Sequence, residues 1–242
     1  MEHDGDRWVQ RLRDGEVPST WRIVLVTVLV SALGAFLLWQ QFAHPEATRR
    51  LFEVQGRGAF VTVLVPVVLL LTGPGVALAA WSSGRRDSRT LARIRAAGGR
   101  PVFHLPVETA APVAGEEFAD PKPEVWTVDD AGLHGWTPDH ARPVHALPWE
   151  RIRAFGLANT VVKGVRQDCG IWVSTANGHV VLVPRTTLGR PFTAGGLKRP
   201  VLVRVLRSLR AELDPAGAAR TTERPGARPG DTPLGSPAAP TG

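Results

Sequence analysis

Residues Gly170–Pro184 read GIWVSTANGHVVLVP, two β-rich runs on either side of Asn177-Gly178. Valine, isoleucine, tryptophan and threonine suit a pleated, half-buried surface. An Asn-Gly pair supplies the two positive-φ positions of a tight hairpin, so the stretch predicts an antiparallel hairpin turning at residues 177 and 178. Upstream, the short apolar runs EVWTV, LHGWTP, HALPW, RIRAF and TVVKG recur between turn residues over 124–164. Short β-rich runs at this spacing predict an antiparallel sheet or small barrel. Asp129-Asp130-Ala131-Gly132 reads as a longer turn with Gly132 in the left-handed position.

HALPWERIRAF, His145–Phe155, mixes charged groups with an aromatic ring and invites a reading as an active-site fragment. Its spacing favours a strand junction. Pro148 limits the backbone, and Trp149 and Ile152, three apart, turn inward through one helical turn. Glu150, Arg151 and Arg153 then face solvent. Gly132, Pro148, Trp149 and Ile152 are accordingly read as markers of the fold.

Downstream of the hairpin, RPVLVRVLRSLRAELD (Arg199–Asp214) places Leu202, Val205, Leu206, Leu209 and Leu213 three and four apart, one apolar helical face. Pro200 suits a first helical turn, and the helix is expected to cap an open barrel end. Arg204, Arg207 and Arg210 are read as its solvated side. The low-complexity tail, 214–242, is expected to be disordered.

Before the β-rich region the composition changes. No charged residue occurs from Ile23 to Ala43 or from Gly58 to Gly84. Each run is long enough to cross a hydrocarbon core about 30 Å thick. Trp21, Trp39 and Phe42 stand at the ends of the first and Trp81 at the far edge of the second, where amphipathic rings favour the headgroup level. Pro66 and Gly73-Pro74-Gly75 should kink or unwind the second span, which requires a neighbour to satisfy the freed carbonyls. Ser31, Ala32, Gly34 and Ala35 in one span, with Gly75, Ala77 and Ala79 in the other, would let the backbones approach.

Ten arginines flank the outer ends of this pair, at positions 7, 11, 13, 22, 85, 86, 89, 93, 95 and 100, against Arg49, Arg50 and Arg57 in the connection. The bias places both termini in the cytoplasm. A cleaved signal peptide is disfavoured, since more than twenty residues precede the apolar core and no small-x-small site follows it. The resulting division is a cytoplasmic segment (1–20), a transmembrane helix (21–42), an external loop (43–58), a second transmembrane helix (59–81), a basic juxtamembrane segment and linker (82–123) with one short strand at VFHLPVE, a β-rich cytoplasmic domain (124–213) and the tail (214–242).

The formal charge of +7 comes almost wholly from arginine, with lysine only at 122, 163 and 198. We read this as a solvated basic surface, and no nucleic-acid partner is expected. Arg85, Arg86, Arg89 and Arg93, close to the expected membrane face, could contact anionic lipid or serve only to set topology. Lys163 and Arg166, with Arg185 and Arg190, are loop candidates for an acidic partner. Catalytic signatures are sparse. His134, Asp139, His140 and His145 lie close in sequence, but their spacing is not that of a zinc helix. GPGVALA lies inside a span, GRGAFV lacks the third glycine of a phosphate loop, and no GxSxG elbow occurs. Cys169, the single cysteine, is read as a small buried hydrophobe. Neither span holds an ionisable residue on which a relay or ion site could be built. No cofactor, metal or catalytic residue is therefore assigned.

A membrane hairpin followed by TVDDAGLHGW, HALPWERIRAF, further β-rich sequence and an amphipathic helix resembles the membrane-anchored bacterial pleckstrin-homology (PH)-like proteins. The likeness covers about residues 125–213 and rests on turn and core residues. It implies an α+β membrane protein: a two-helix transmembrane hairpin and a seven-stranded, partly open PH-like barrel closed by a C-terminal helix. It also implies a bacterial plasma-membrane location and a binding or assembly role, with membrane lipids or a protein as partner and homo-oligomerisation open. DDAG, at the first-hairpin loop, lacks the basic residues of a phosphoinositide pocket. The expected function is thus non-enzymatic binding, with an anionic-lipid sensor and a metal-dependent membrane enzyme at His134, His140 and His145 as alternatives.

Overall fold

The computed structural model describes residues 6–44, 59–108, 120–162, 165–175 and 178–215. The chain divides into two compact units, one formed by residues 18–86 and the other by residues 1–17 together with 87–242.

The first unit pairs helix α2 (Trp21–Ala43) with the apolar part of helix α3 (Ala59–Ala96). Both are long and apolar enough to cross a membrane. Their side chains are largely uncovered: among the exposed large hydrophobics are Val24, Val28, Leu29, Leu33 and Phe36 on α2 and Leu64, Val68, Leu71 and Leu78 on α3. Contact between them is made by small residues. A Cβ on Gly34 would stand 2.8 Å from both Leu70 N and Pro66 O, and one on Gly73 would stand 2.7 Å from Thr27 O and collide with Ser31 Oγ. Gly75, expected at this contact, faces open space. The expected unwinding is not found, since α3 is helical through Pro66 and Pro74. Pro74 cannot donate to the Leu70 carbonyl, and Ser31 Oγ donates to that carbonyl instead, at 3.5 Å. A neighbour therefore satisfies the freed acceptor without unwinding.

Two antiparallel meanders form the core of the second unit. The first runs β1 (Phe103–Pro106), β2 (Val125–Val128), β3 (Gly132–Trp136), β4 (His145–Pro148), and the second β5 (Ile152–Val162), β6 (Val165–Thr175), β7 (Gly178–Leu182). A 3-10 turn, Trp149–Arg151, joins them. Helix α4 (Lys198–Leu213) packs on β5 and β6 through Leu202, Val203, Leu206 and Leu209. The sheets thus begin earlier than residue 124: β1 pairs with β2 from Phe103↔Val128 to Pro106↔Val125, and all four β1 residues are buried.

Both faces of β1 are covered because α1 (Asp6–Asp14) lies against it. Val9 and Leu12 of α1, with Leu91 and Ile94 of α3, join the core of the sheets. The segment 1–20 is therefore partly a core element, and the stretch read as a juxtamembrane linker is helical as far as Ala96. The β6–β7 hairpin closes at Thr175↔Gly178, so its connection is residues 176 and 177, one earlier than the Asn-Gly rule implies. Those two residues lie outside the described ones, as do the expected external loop from 45 to 58 and the tail from 216.

Candidate functional site

Asp129 joins the two quoted strand motifs. Its carboxylate accepts from the backbone N–H of Ala131 at 2.9 Å and Gly132 at 3.2 Å, and from His134 Nε2 at 3.1 Å. Its backbone carbonyl accepts from Trp149 Nε1 at 3.0 Å. Gly132 has a φ of 144°, well away from the left-handed helical value expected of it. A Cβ there would lie 2.7 Å from Pro148 Cα and run into the Leu147 carbonyl. Trp149 is buried and meets Phe155 edge to face at 6.4 Å, and Ile152 is buried beside it in the core. The structure thus gathers Gly132, Pro148 and Trp149 at one joint, while Glu150, Arg151 and Arg153 are exposed.

The histidines considered as metal ligands are held apart from one another in role. His134 Nε2 is engaged by Asp129, and His140 Nδ1 pairs with Thr137 Oγ1 at 2.9 Å. Among the described residues no group of three or more His, Cys, Asp or Glu side chains converges as a metal site. Cys169 is partly buried on β6, with its Sγ donating to the Ala158 carbonyl at 3.3 Å. Burial raises its thiol pKa, with the Asp168 charge adding to the effect, so little thiolate forms near neutrality.

The arginines divide into exposed and structural groups. Arg85, Arg86, Arg89 and Arg93 are all exposed on α3, with Arg85, Arg89 and Arg93 at successive four-residue steps along one side. Arg85 also lies over the Trp81 ring, 4.2 Å from its centroid. Asp87, Thr90, Leu91 and Ile94 form the buried side of the same helix. Lys163 lies outside the described residues, and Arg166 is placed by its backbone on β6, opposite Val161.

Arg185 is not a loop contact for a partner. It is buried, and its guanidinium meets the carboxylate of Asp87 in a two-point pair, at 2.7 Å and 3.0 Å. Its remaining donors reach the carbonyls of Val107 (3.0 Å), Glu124 (3.2 Å) and Arg190 (3.3 Å). Asp87 additionally accepts from the Gly189 backbone N–H. One ion pair therefore ties α3 to the end of β1, the start of β2 and the loop after β7. Of the α4 arginines expected on a solvated face, Arg207 is exposed and also donates to the Phe155 carbonyl through Nε and Nη2, whereas Arg210 is buried and donates to the Arg153 carbonyl. Both cover acceptors on β5, an edge strand. Arg204 is exposed.

Buried His104 on β1, which no motif singles out, donates from Nδ1 to the Leu12 carbonyl at the end of α1, 3.0 Å away. Burial lowers its pKa below the ordinary 6.5; the carbonyls of Leu12 and Arg13 oppose that shift, and the charge of Arg95 adds to it. Neither His104 nor the Asp87–Arg185 pair carries a local sequence signature, because their partners lie 92 and 98 residues away.

No family model matches the chain, and neither the curated proteins nor the solved structures include a significant match. The geometry offers no assembled nucleophile, base or metal-ligand set among the described residues. What it does present is an arginine-lined helix face and a loop carrying uncovered apolar side chains.

Proposed function

We propose that the chain is a non-enzymatic, multi-pass protein of the bacterial plasma membrane, in which two spans carry a cytoplasmic PH-like binding domain. The observation that carries this reading is the placement of uncovered apolar surface. Among the described residues, all but three exposed large hydrophobics lie on α2 and the apolar part of α3. A water-soluble protein would leave that surface unsatisfied, whereas a hydrocarbon core would cover it. The PH-like part of the reading is supported by two meanders of four and three strands followed by a helix packed on the second sheet. A binding role is favoured over catalysis because the polar groups near the strand junction are engaged with one another, as in Asp129 with His134 and Thr137 with His140.

Membrane insertion is tested by alkaline extraction of native membranes, where the full chain should stay in the pellet; release into the supernatant would overturn the reading. Orientation is tested with reporters active only outside the cytoplasm. They should be silent at either terminus and active when inserted between residues 45 and 57. Photo-cross-linking from Arg89 and Arg93 in native membranes should yield adducts to protein or lipid, and their absence would remove the binding role.

A further inference from the structure

Three close approaches fix the register of the two helices in the first unit. Gly34 meets Pro66 and Leu70, Gly73 meets Thr27 and Ser31, and a Cβ on Gly84 would stand 3.6 Å from Thr20 Cγ2. The helices are therefore antiparallel, and Trp21 at the start of α2 stands level with Trp81 on α3. Both indoles are uncovered, Trp21 at 58% and Trp81 at 49%. Arg22 and Arg85 beside them are exposed as well. At the other end of α2, Trp39 and Phe42 are also uncovered, but the last turn of that helix holds no basic residue. Aromatic rings thus mark both ends of the pair as interfacial, whereas among the described residues of this unit a cation seated on a ring marks only the Trp81 end.

Along α3 the uncovered side chains follow a chemical order. Leu71 (68% exposed), Leu78 (63% exposed) and Arg85 recur at seven-residue steps on one side of the helix, with Trp81 between the last two. From Leu71 to Arg85 is about 21 Å of helix, comparable to one leaflet of a bilayer about 40–45 Å thick with its headgroups. The order apolar, indole, guanidinium is that of a phospholipid read from acyl chain through ester to phosphate. Arg85 lies over the Trp81 ring, 4.2 Å from its centroid, a contact that positions the cation and leaves its fork able to donate to phosphate oxygens. No acidic residue occurs between Glu16 and Glu46 or between Glu53 and Asp87, and Asp87 is buried against Arg185. The exposed charge at this end of the unit is therefore positive.

We propose that Trp81 and Arg85 form a site for one anionic phospholipid of the cytoplasmic leaflet: an acyl chain lies along Leu71 and Leu78, the indole meets the ester level, and the Arg85 guanidinium donates to the phosphate. The charge of Arg22 at the same end favours a headgroup with net negative charge over one whose phosphate is balanced by its own ammonium group. The proposal rests on the membrane reading above and adds a ligand class and its contact residues to it. All of these residues belong to one compact unit.

The test is native mass spectrometry of the full chain, released from detergent micelles after equilibration with phosphatidylglycerol, with phosphatidylcholine of the same acyl chains, or with inorganic phosphate. One phosphatidylglycerol should bind about fivefold more tightly than phosphatidylcholine, the factor that one basic residue contributes near an anionic surface. Arg85→Gln should bring the two lipids level, whereas Arg100→Gln, which removes an exposed charge outside the site, should leave the preference in place. Inorganic phosphate in excess should not displace the lipid, because it lacks the acyl contacts. Equal binding of the two lipids by the parent overturns the site without any variant. A preference that survives Arg85→Gln, or that Arg100→Gln abolishes as well, also overturns it. Displacement by phosphate reassigns the site to a soluble anion and overturns the lipid. Each of these outcomes leaves the membrane reading intact where the chain stays in the pellet on alkaline extraction, and release into the supernatant overturns both. Should Arg85→Gln fail to fold, Trp81→Leu gives the same decision: it keeps apolar surface and removes the ring under Arg85, so the preference should fall, and an unchanged preference refutes the site.

Discussion

Replacing Asp87 with alanine should be among the most damaging single changes in the chain. The substitution leaves Arg185 charged, buried and without the partner of its two shortest-range carboxylate bonds, and it strands the Gly189 N–H as well. Removing one member of a buried ion pair costs about 3 to 5 kcal/mol. Since 1.4 kcal/mol is about a factor of ten, the folding constant should fall by about a hundred- to several-thousand-fold. A domain whose total stability is about 5 to 15 kcal/mol would retain little margin.

Arg185→Ala should cost a comparable amount, because it buries an uncompensated carboxylate and releases the carbonyls of Val107, Glu124 and Arg190. The two losses share one interaction, so the double variant should be more stable than their sum implies, by about 2 kcal/mol or more. Asp87→Leu with Arg185→Met keeps volume without charge and should be less damaging than either alanine change, yet stay below the parent because the Gly189 N–H and the Val107, Glu124 and Arg190 carbonyls lose their partners. Urea unfolding of the full chain in mild detergent, scored by pulse proteolysis, isolates residues 87–215 from the fluorescence of Trp21, Trp39 and Trp81. A loss below about 1 kcal/mol for Asp87→Ala, with coupling under about 0.5 kcal/mol, would refute the clamp.

Three further changes probe other contacts. Trp149→Ala should destabilise the β-domain by about 3 to 5 kcal/mol, since the ring is buried and its Nε1 bonds to Asp129; a variant as stable as the parent that lost a binding activity would assign Trp149 to function instead. His104 has a folded pKa below 6.5, so the unfolded chain takes up the proton first; its contribution to stability is complete above about pH 6.5 and is lost as pH falls from there toward the lowered folded value. Urea midpoints from pH 8 to 5 should therefore drop more steeply for the parent than for His104→Gln, and parallel curves would refute this. Gly34→Leu should weaken the α2–α3 pair by about 1 to 3 kcal/mol, because its new atoms meet backbone, whereas Gly75→Ala should be nearly neutral. Thermal denaturation in detergent separates the two.

The parts of the fold that were legible from the sequence are those written in local patterns. Two uncharged runs become α2 and the apolar part of α3, and alternating runs between turns become antiparallel strands. Leu202, Leu206 and Leu209 fall on the buried side of α4 as their spacing implies. Local rules fail where tertiary contact overrides them. Pro74 sits within a continuous helix with Ser31 donating to the orphaned Leu70 carbonyl, a partner that no propensity of residues 58–84 encodes. The β6–β7 ladder pairs Thr175 with Gly178, so Gly178 belongs to the strand pairing although the Asn-Gly rule expects it in the connection. The short strand expected at VFHLPVE is β1, but its place as an edge of the first sheet was not legible from a Pro-rich linker, and its burial depends on α1, which itself lacks a long apolar run.

The candidate site was harder to read because arginine has several distinct roles in this chain. Composition cannot separate Arg85, Arg89 and Arg93, exposed on α3, from Arg185, buried against Asp87, or from Arg207 and Arg210, which cover β5 carbonyls. A planar fork with five donors suits all three roles, so residue type alone carries no information about which is played. The neighbours decide. Asp87 looks like one acid in a basic cluster until the fold brings Arg185 and Gly189 to it, and the same bond fixes the start of the loop that exposes Phe192 and Leu197. A net charge of +7 thus overstates the surface available to a partner, and the informative quantity is which basic groups stand beside uncovered apolar side chains. By that measure Arg85, 4.2 Å over the half-exposed Trp81 ring, stands beside uncovered apolar surface, whereas the Lys198 ammonium already lies over the ring of Trp8.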